Sequence, residues 1–111
     1  MMRILNNELA LVCCYFNPCN YYSRFLNFVL FIESIKKYKI NLVVVEAFSS
    51  SSKYRIHKLH DDVISINTKE VYWMKEHLIN IGIKFLLDFK FKNIGWVDCD
   101  IILNESNIVE K

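Results

Sequence analysis

Asp98 and Asp100 stand one residue apart in the apolar run Ile94-Gly95-Trp96-Val97-Asp98-Cys99-Asp100-Ile101-Ile102-Leu103. The run reads as a strand. Strand side chains alternate between faces, so the two carboxylates point one way and Cys99 the other. Adjacent carboxylates repel, and burying them unpaired is costly. A divalent cation removes both difficulties. Hard ions such as Mg²⁺ and Mn²⁺ take carboxylate oxygens and keep further positions for water and phosphate. The chemistry implied is a metal and nucleotide-diphosphate site at a strand end. Asp-x-Asp also occurs in loops just past strands, so the neighbouring elements must decide between the two.

Those elements alternate strand and helix. Leu9 to Phe16 is continuously apolar, as in a strand covered on both faces, and the turn formers Asn17-Pro18 end it. Asn20 is placed to cap a helix from near Tyr21 to about Tyr38. Phe25, Phe28, Val29, Ile32 and Ile35 share one face of it, with Asn27, Ser34 and Lys37 off that face. Lys36 and Lys37 suit the negative end of the helix dipole. Asn41 to Phe48 reads as a second buried strand, valine-rich, with Glu46 as its odd residue. Ser49 to Ser52 is a short low-complexity loop, and the polar stretch to Asp62 shows no element. Val63 to Asn67 is a third, shorter strand. A second helix is expected from about Lys69 to about Leu87, with Met74, Leu78, Ile81 and Phe85 as its core stripe. The aspartate strand follows. Residues 1–8 and 105–111 read as flanking tails.

A chain of 111 residues corresponds to one small domain, and no repeat or boundary divides it. Large apolar residues are plentiful, with two glycines and one proline, which excludes a disordered chain. The net charge of +2 with scattered lysines gives no basic stripe, so nucleic acid is not an expected partner. Cys13, Cys14, Cys19 and Cys99 lack Cys-x-x-Cys spacing, and His57, His60 and His77 complete no zinc finger. Free thiols in a reducing, cytoplasmic setting are expected. The apolar run at Leu9 is too short and poorly flanked for a signal peptide, and Phe25 to Ile32 is too short to span a bilayer. His57 and His60 are expected in solvent, and Trp73 and Trp96 in core or rim packing.

The order β-α-β-loop-β-α-β implies a doubly wound, mostly parallel α/β sheet, Rossmann-like, with strand order 3-2-1-4. Ligands of such sheets bind beyond the carboxyl ends of the strands where the order reverses, here between the first and fourth strands. Asn17-Pro18, Glu46 and the Asp98/Asp100 pair then converge on one rim.

These residues resemble the N-terminal nucleotide-binding half of GT-A glycosyltransferases of the DxD type. The pieces that carry the resemblance are Phe16-Asn17-Pro18, Val43-Val44-Val45-Glu46, Trp73-Met74-Lys75-Glu76 with Asn80, and Trp96-Val97-Asp98-Cys99-Asp100. They cover roughly residues 9 to 104. The resemblance implies that Phe16, Asn17, Pro18 and Glu46 contact the nucleoside, and that Lys75 and Asn80 face the donor. It implies Mn²⁺ or Mg²⁺ on Asp100, with Asp98 as a second metal contact or ribose partner. The function implied is donor binding in a metal-dependent glycosyltransferase that uses a UDP- or GDP-sugar and an unknown acceptor. The family pattern continues into a second half with the acceptor site and base, so an incomplete GT-A domain is expected: a fragment, one part of a split enzyme, or a remnant. Self-association or a second chain supplying the acceptor half would follow. The alternatives are a non-catalytic nucleotide-binding or interaction module and a nucleotidyltransferase. The latter ranks last because Asn17-Pro18-Cys19-Asn20 is no glycine-rich phosphate loop.

Overall fold

The computed structural model describes residues 9–17, 19–68 and 75–98. Along the chain run β1 (Leu9–Phe16), α1 (Tyr22–Lys37), β2 (Asn41–Phe48), β3 (Val63–Asn67), α2 (Lys75–Leu86) and β4 (Asn93–Trp96). The four strands form one sheet in the order β3-β2-β1-β4. Every pairing is parallel: β1 with β2 from Ala10 opposite Asn41, β1 with β4 from Leu9 opposite Asn93, and β2 with β3 from Val44 opposite Val63. The 3-2-1-4 order read from the sequence is therefore the observed one, and the class is a Rossmann-like parallel α/β sheet.

The two central strands are apolar on both faces because each face meets its own layer. Leu11, Cys13 and Tyr15 of β1 and Leu42 and Val44 of β2 pack with Phe28, Phe31, Ile32 and Ile35 of α1. Ile56, from the connection between β2 and β3, is fully buried in the same layer. The alternate residues Ala10, Val12, Val43, Val45 and Ala47 meet Leu78 and Leu86 of α2. Each large side chain removed from water in this way contributes about 1.5–3 kcal/mol. β3 and β4, at the sheet edges, are short and only partly buried.

α2 comes close to the sheet at Gly82, where a Cβ would run into the side chain of Val12 and sit 3.2 Å from Val45 Cγ2. Helix α1 ends in a Schellman arrangement: Ile40 N–H donates to Ile35 O and Lys39 N–H to Lys36 O, at 3.3 Å each. Lys39, not glycine, holds the left-handed position at φ 52°.

Several expectations are revised. Asn20 does not cap α1. The N-cap is Tyr21, without a side-chain cap bond, and Asn20 sits at φ 55° with its amide turned to another loop. Ser34 is buried, its hydroxyl donating to Phe31 O at 2.7 Å, because bonding to its own helix removes the cost of burying it. β4 ends at Trp96, so Asp98 lies past the strand. Trp96, expected in core or rim packing, closes β4 at the rim of the sheet and is 53% exposed. The described part of α2 begins at Lys75, and Met74, Trp73, Pro18, Cys99 and Asp100 lie outside the described residues. No described helix is long and apolar enough to cross a membrane.

Candidate functional site

Because all strands are parallel, the carboxyl ends of β1, β2 and β4 share one rim. The order of the sheet reverses between β1 and β4, and a crevice is expected there. Phe16 closes β1, Asn17 follows it, and Asp98 emerges at the end of β4. Val97 N–H still donates to Val12 O at 2.9 Å, so the chain leaves β4 alongside β1. Asp98 is exposed. The sheet thus brings Asn17 and Asp98 to the same end of the same two neighbouring strands.

The other rim residues are occupied within the protein. Asn17 is buried. Its Nδ2 donates to Tyr15 Oη at 3.1 Å and to Tyr21 O at 2.9 Å, and its Oδ1 accepts from Tyr21 N–H at 3.0 Å. It therefore fixes the turn from β1 into α1, and its side chain is taken up by that turn rather than left open for a nucleoside. Phe16 is half-buried against the α2 layer, and its carbonyl accepts from Arg24 Nη1 at 2.9 Å.

Glu46 is 1% exposed, not a solvated strand end. Its side chain leaves β2 on the α1 side, under the connection formed by residues 49–62. Oε2 accepts from Arg55 Nε and from Ile56 N–H, both at 2.9 Å. Oε1 accepts from Arg55 Nη2 at 3.0 Å and from Ser65 Oγ at 3.1 Å. Four donors fill the carboxylate. Contact with a nucleoside through Glu46 would have to displace one of them.

The same connection is tied down beside α1. Tyr15 Oη donates to Tyr54 O at 3.0 Å, and Asn20 bridges Ser51 O and Lys53 N–H at 3.1 and 2.9 Å. The rings of Tyr22, Phe25 and Tyr54 cluster with centroids 5.3–6.3 Å apart. Arg55 lies over the Phe48 ring, 3.6 Å from its centroid. Sequence reading missed Arg55, Tyr54 and Ser65. The signal available was a single arginine in a polar loop nine residues from a carboxylate in an apolar strand.

Lys75 opens the described part of α2, with its side chain outside the description, and Asn80 is exposed further along the helix. His60 is half-buried, its Nε2 2.7 Å from Leu42 O, so it is not in open solvent as expected, whereas His57 is exposed. Cys13, Cys14 and Cys19 are free thiols, buried, half-buried and exposed in turn. Among the described residues no group of three or more His, Cys, Asp or Glu side chains is arranged to hold a metal.

Two further features of the rim suit an anion. The N-terminus of the 16-residue α1 sits at the end of β1, with no side-chain cap and no acidic residue in its first turn. Its unpaired N–H groups and the helix dipole make such an end attractive to phosphate. Arg24, exposed in that first turn, adds a positive charge anchored on Phe16 O.

Comparison with known proteins gives no match: no family model fits the chain, and no curated protein or solved structure is significantly similar to it.

Proposed function

We propose that the chain binds a nucleoside diphosphate sugar at the crevice between the ends of β1 and β4, as the donor-binding portion of a metal-dependent glycosyltransferase. The observation that supports this reading is that Asp98, exposed, leaves β4 at the carboxyl end of the parallel sheet, next to β1 where the strand order reverses. The positive end of α1 and Arg24 supply the complement for a diphosphate. Asp98 is compatible with Mg²⁺ or Mn²⁺, which commonly bind one or two carboxylates and complete their shell with water and substrate phosphates. Asp100 is the second ligand proposed from the sequence. When bound, such an ion acts as a Lewis acid that stabilises charge on the departing diphosphate. The chain's own residues orient the nucleotide: Asn17 fixes the turn beneath it, and Glu46 acts indirectly by holding residues 54–56 in place. Lys75 and Pro18 remain donor-side candidates on sequence grounds.

The test is a titration with UDP and GDP, with and without Mn²⁺, on wild type, Asp98→Asn and Arg24→Ala. Affinity should depend on metal in the wild type. Asp98→Asn should lose most of that dependence. Arg24→Ala should weaken binding by about tenfold, the usual worth of one charge-assisted hydrogen bond. Equal affinity with and without metal would remove the transferase reading.

A second reading, a non-catalytic interaction module, draws on Tyr22, Leu26 and Leu30. These lie four residues apart on the outward side of α1, at 58%, 42% and 40% exposure. Concentration-dependent sedimentation would favour it.

A further inference from the structure

A cavity of about 250 Å³ opens at the start of β2, between the last turn of α1 and residues 58–62. It lies at the end of the sheet opposite the nucleotide crevice, so it stands or falls separately from that reading. Its inner wall includes the buried Ile40 and Leu42. Its outer wall is charged with both signs: Lys36 and Lys58, Asp61 and Asp62. Among the described residues these four form no ion pair with one another.

The wall is rigidly mounted. Val44 N–H donates to Asp62 O at 3.0 Å, which holds the Asp62 backbone on β2. His60 Nε2 lies 2.7 Å from Leu42 O, which fixes the imidazole on the same strand. The Asp62 carboxyl is raised above its ordinary value, chiefly by burial and partly by Asp61, with His60 opposing. A desolvated carboxylate is stabilised by a cation that reaches it. The C-terminal end of α1 adds negative potential to the same place.

A simple anion would meet two aspartates here, and a simple cation two lysines. A molecule that carries both charges satisfies both pairs, and the aliphatic wall adds room for an apolar substituent. At about 30 Å³ per water-sized unit, the cavity holds roughly eight such units, which suits a ligand below drug size. We propose that this cavity binds a small zwitterion of the amino-acid class. Its ammonium faces Asp61 and Asp62, its carboxylate faces Lys36 and Lys58, and its apolar side chain lies against Leu42.

L-Leucine is a suitable probe, with 3-methylbutylamine and 4-methylpentanoate as the analogues that carry one charge each. Ligand-observed NMR titration of the full chain should show saturable leucine binding. Both analogues should bind at least about tenfold more weakly. Asp62→Asn and Lys58→Met should each weaken leucine by about tenfold, through loss of one charged partner. Lys58 is exposed, so its variant keeps the fold and leaves the test open should Asp62→Asn misfold. Leucine should raise the melting temperature of wild type more than that of either variant, by mass action. Leucine binding no tighter than its analogues, absence of saturable binding, or an unchanged affinity in Lys58→Met would overturn the proposal.

Discussion

Arg55 grips Glu46 through two parallel bonds, Nε to Oε2 at 2.9 Å and Nη2 to Oε1 at 3.0 Å, with the carboxylate 2% exposed and the guanidinium side chain 27% exposed. This pair joins the middle of the long β2–β3 connection to the carboxyl end of the central strand β2. Its geometry is bidentate, and Ile56 N–H and Ser65 Oγ complete the carboxylate's shell. The connection has no helix or strand of its own, so this shell and the buried Ile56 do much to hold it in place.

Arg55→Met should therefore be strongly destabilising, by about 3 kcal/mol, near the low end for breaking a buried pair because Arg55 is partly exposed. The cause is the carboxylate left buried with a missing partner. Adding Glu46→Gln should recover part of the loss. Glutamine's carbonyl oxygen still accepts from Ile56 N–H, and the uncompensated charge is gone. Urea denaturation of the two single variants and the double variant makes the cycle. A double variant no more stable than Arg55→Met would contradict this account.

Gly82→Ala tests the contact between α2 and β1. In an isolated helix alanine is favoured over glycine by about 1 kcal/mol. Here the added methyl meets the Val12 side chain, and Val45 lies close behind it. Overpacking of this kind costs about 1–3 kcal/mol, so the contact term should win and the variant should melt at a lower temperature. Combining it with Val12→Ala should return part of the loss by clearing space for the methyl. The sequence offered only a glycine inside a helical pattern, and the closeness of the approach depends on the sheet beneath it.

Much of the fold was legible because two kinds of periodicity stand out. Val43 to Val45 could hardly belong to an element other than a strand covered on both faces, and Phe28, Ile32 and Ile35 repeat at helical spacing. The alternation implies parallel strands with right-handed crossovers, and a doubly wound sheet of four such strands takes the order 3-2-1-4 that is observed. The site was less legible because polar residues carry no periodicity. Glu46 was singled out correctly as a carboxylate in an apolar strand, but its partners lie 9, 10 and 19 residues away. Sequence spacing cannot place a loop arginine over a strand. Asn17 reaches the start of α1 and Asn20 does not, for a similar reason. Both are good capping residues, and only the path of the turn decides which side chain reaches Tyr21 N–H.

Lys39→Gly should stabilise the chain. Lys39 holds the left-handed position of the α1 Schellman motif, which costs an L-residue about 1–2 kcal/mol and glycine almost nothing. Glycine returns part of that gain as greater freedom in the unfolded chain. The net expectation is about 0.5–1 kcal/mol of added stability, read as a rise in the denaturation midpoint at unchanged slope. Lys39→Ala, which keeps the Cβ, should show no such gain and separates the backbone effect from loss of the lysine side chain.

Asp62 should make stability fall as pH rises through its titration. Its folded-state pKa lies above the ordinary value of 3.8, with burial as the largest cause and Asp61 adding to it against the opposing pull of His60. The folded protein therefore holds this proton more tightly than the unfolded chain does. The contribution is fully present below the unfolded value and is lost as pH rises through the folded one. Asp62→Asn is neutral at every pH. It should match the wild type in acid and exceed its stability at neutral pH, by a small amount because the carboxyl is only partly buried. Lys36 and Lys58 share the cavity wall with Asp62. Denaturation midpoints of the two proteins in acid and at neutral pH make the comparison. An Asp62→Asn protein less stable than wild type at neutral pH would mean that the carboxylate is held by a partner, and the sign argued here would be reversed.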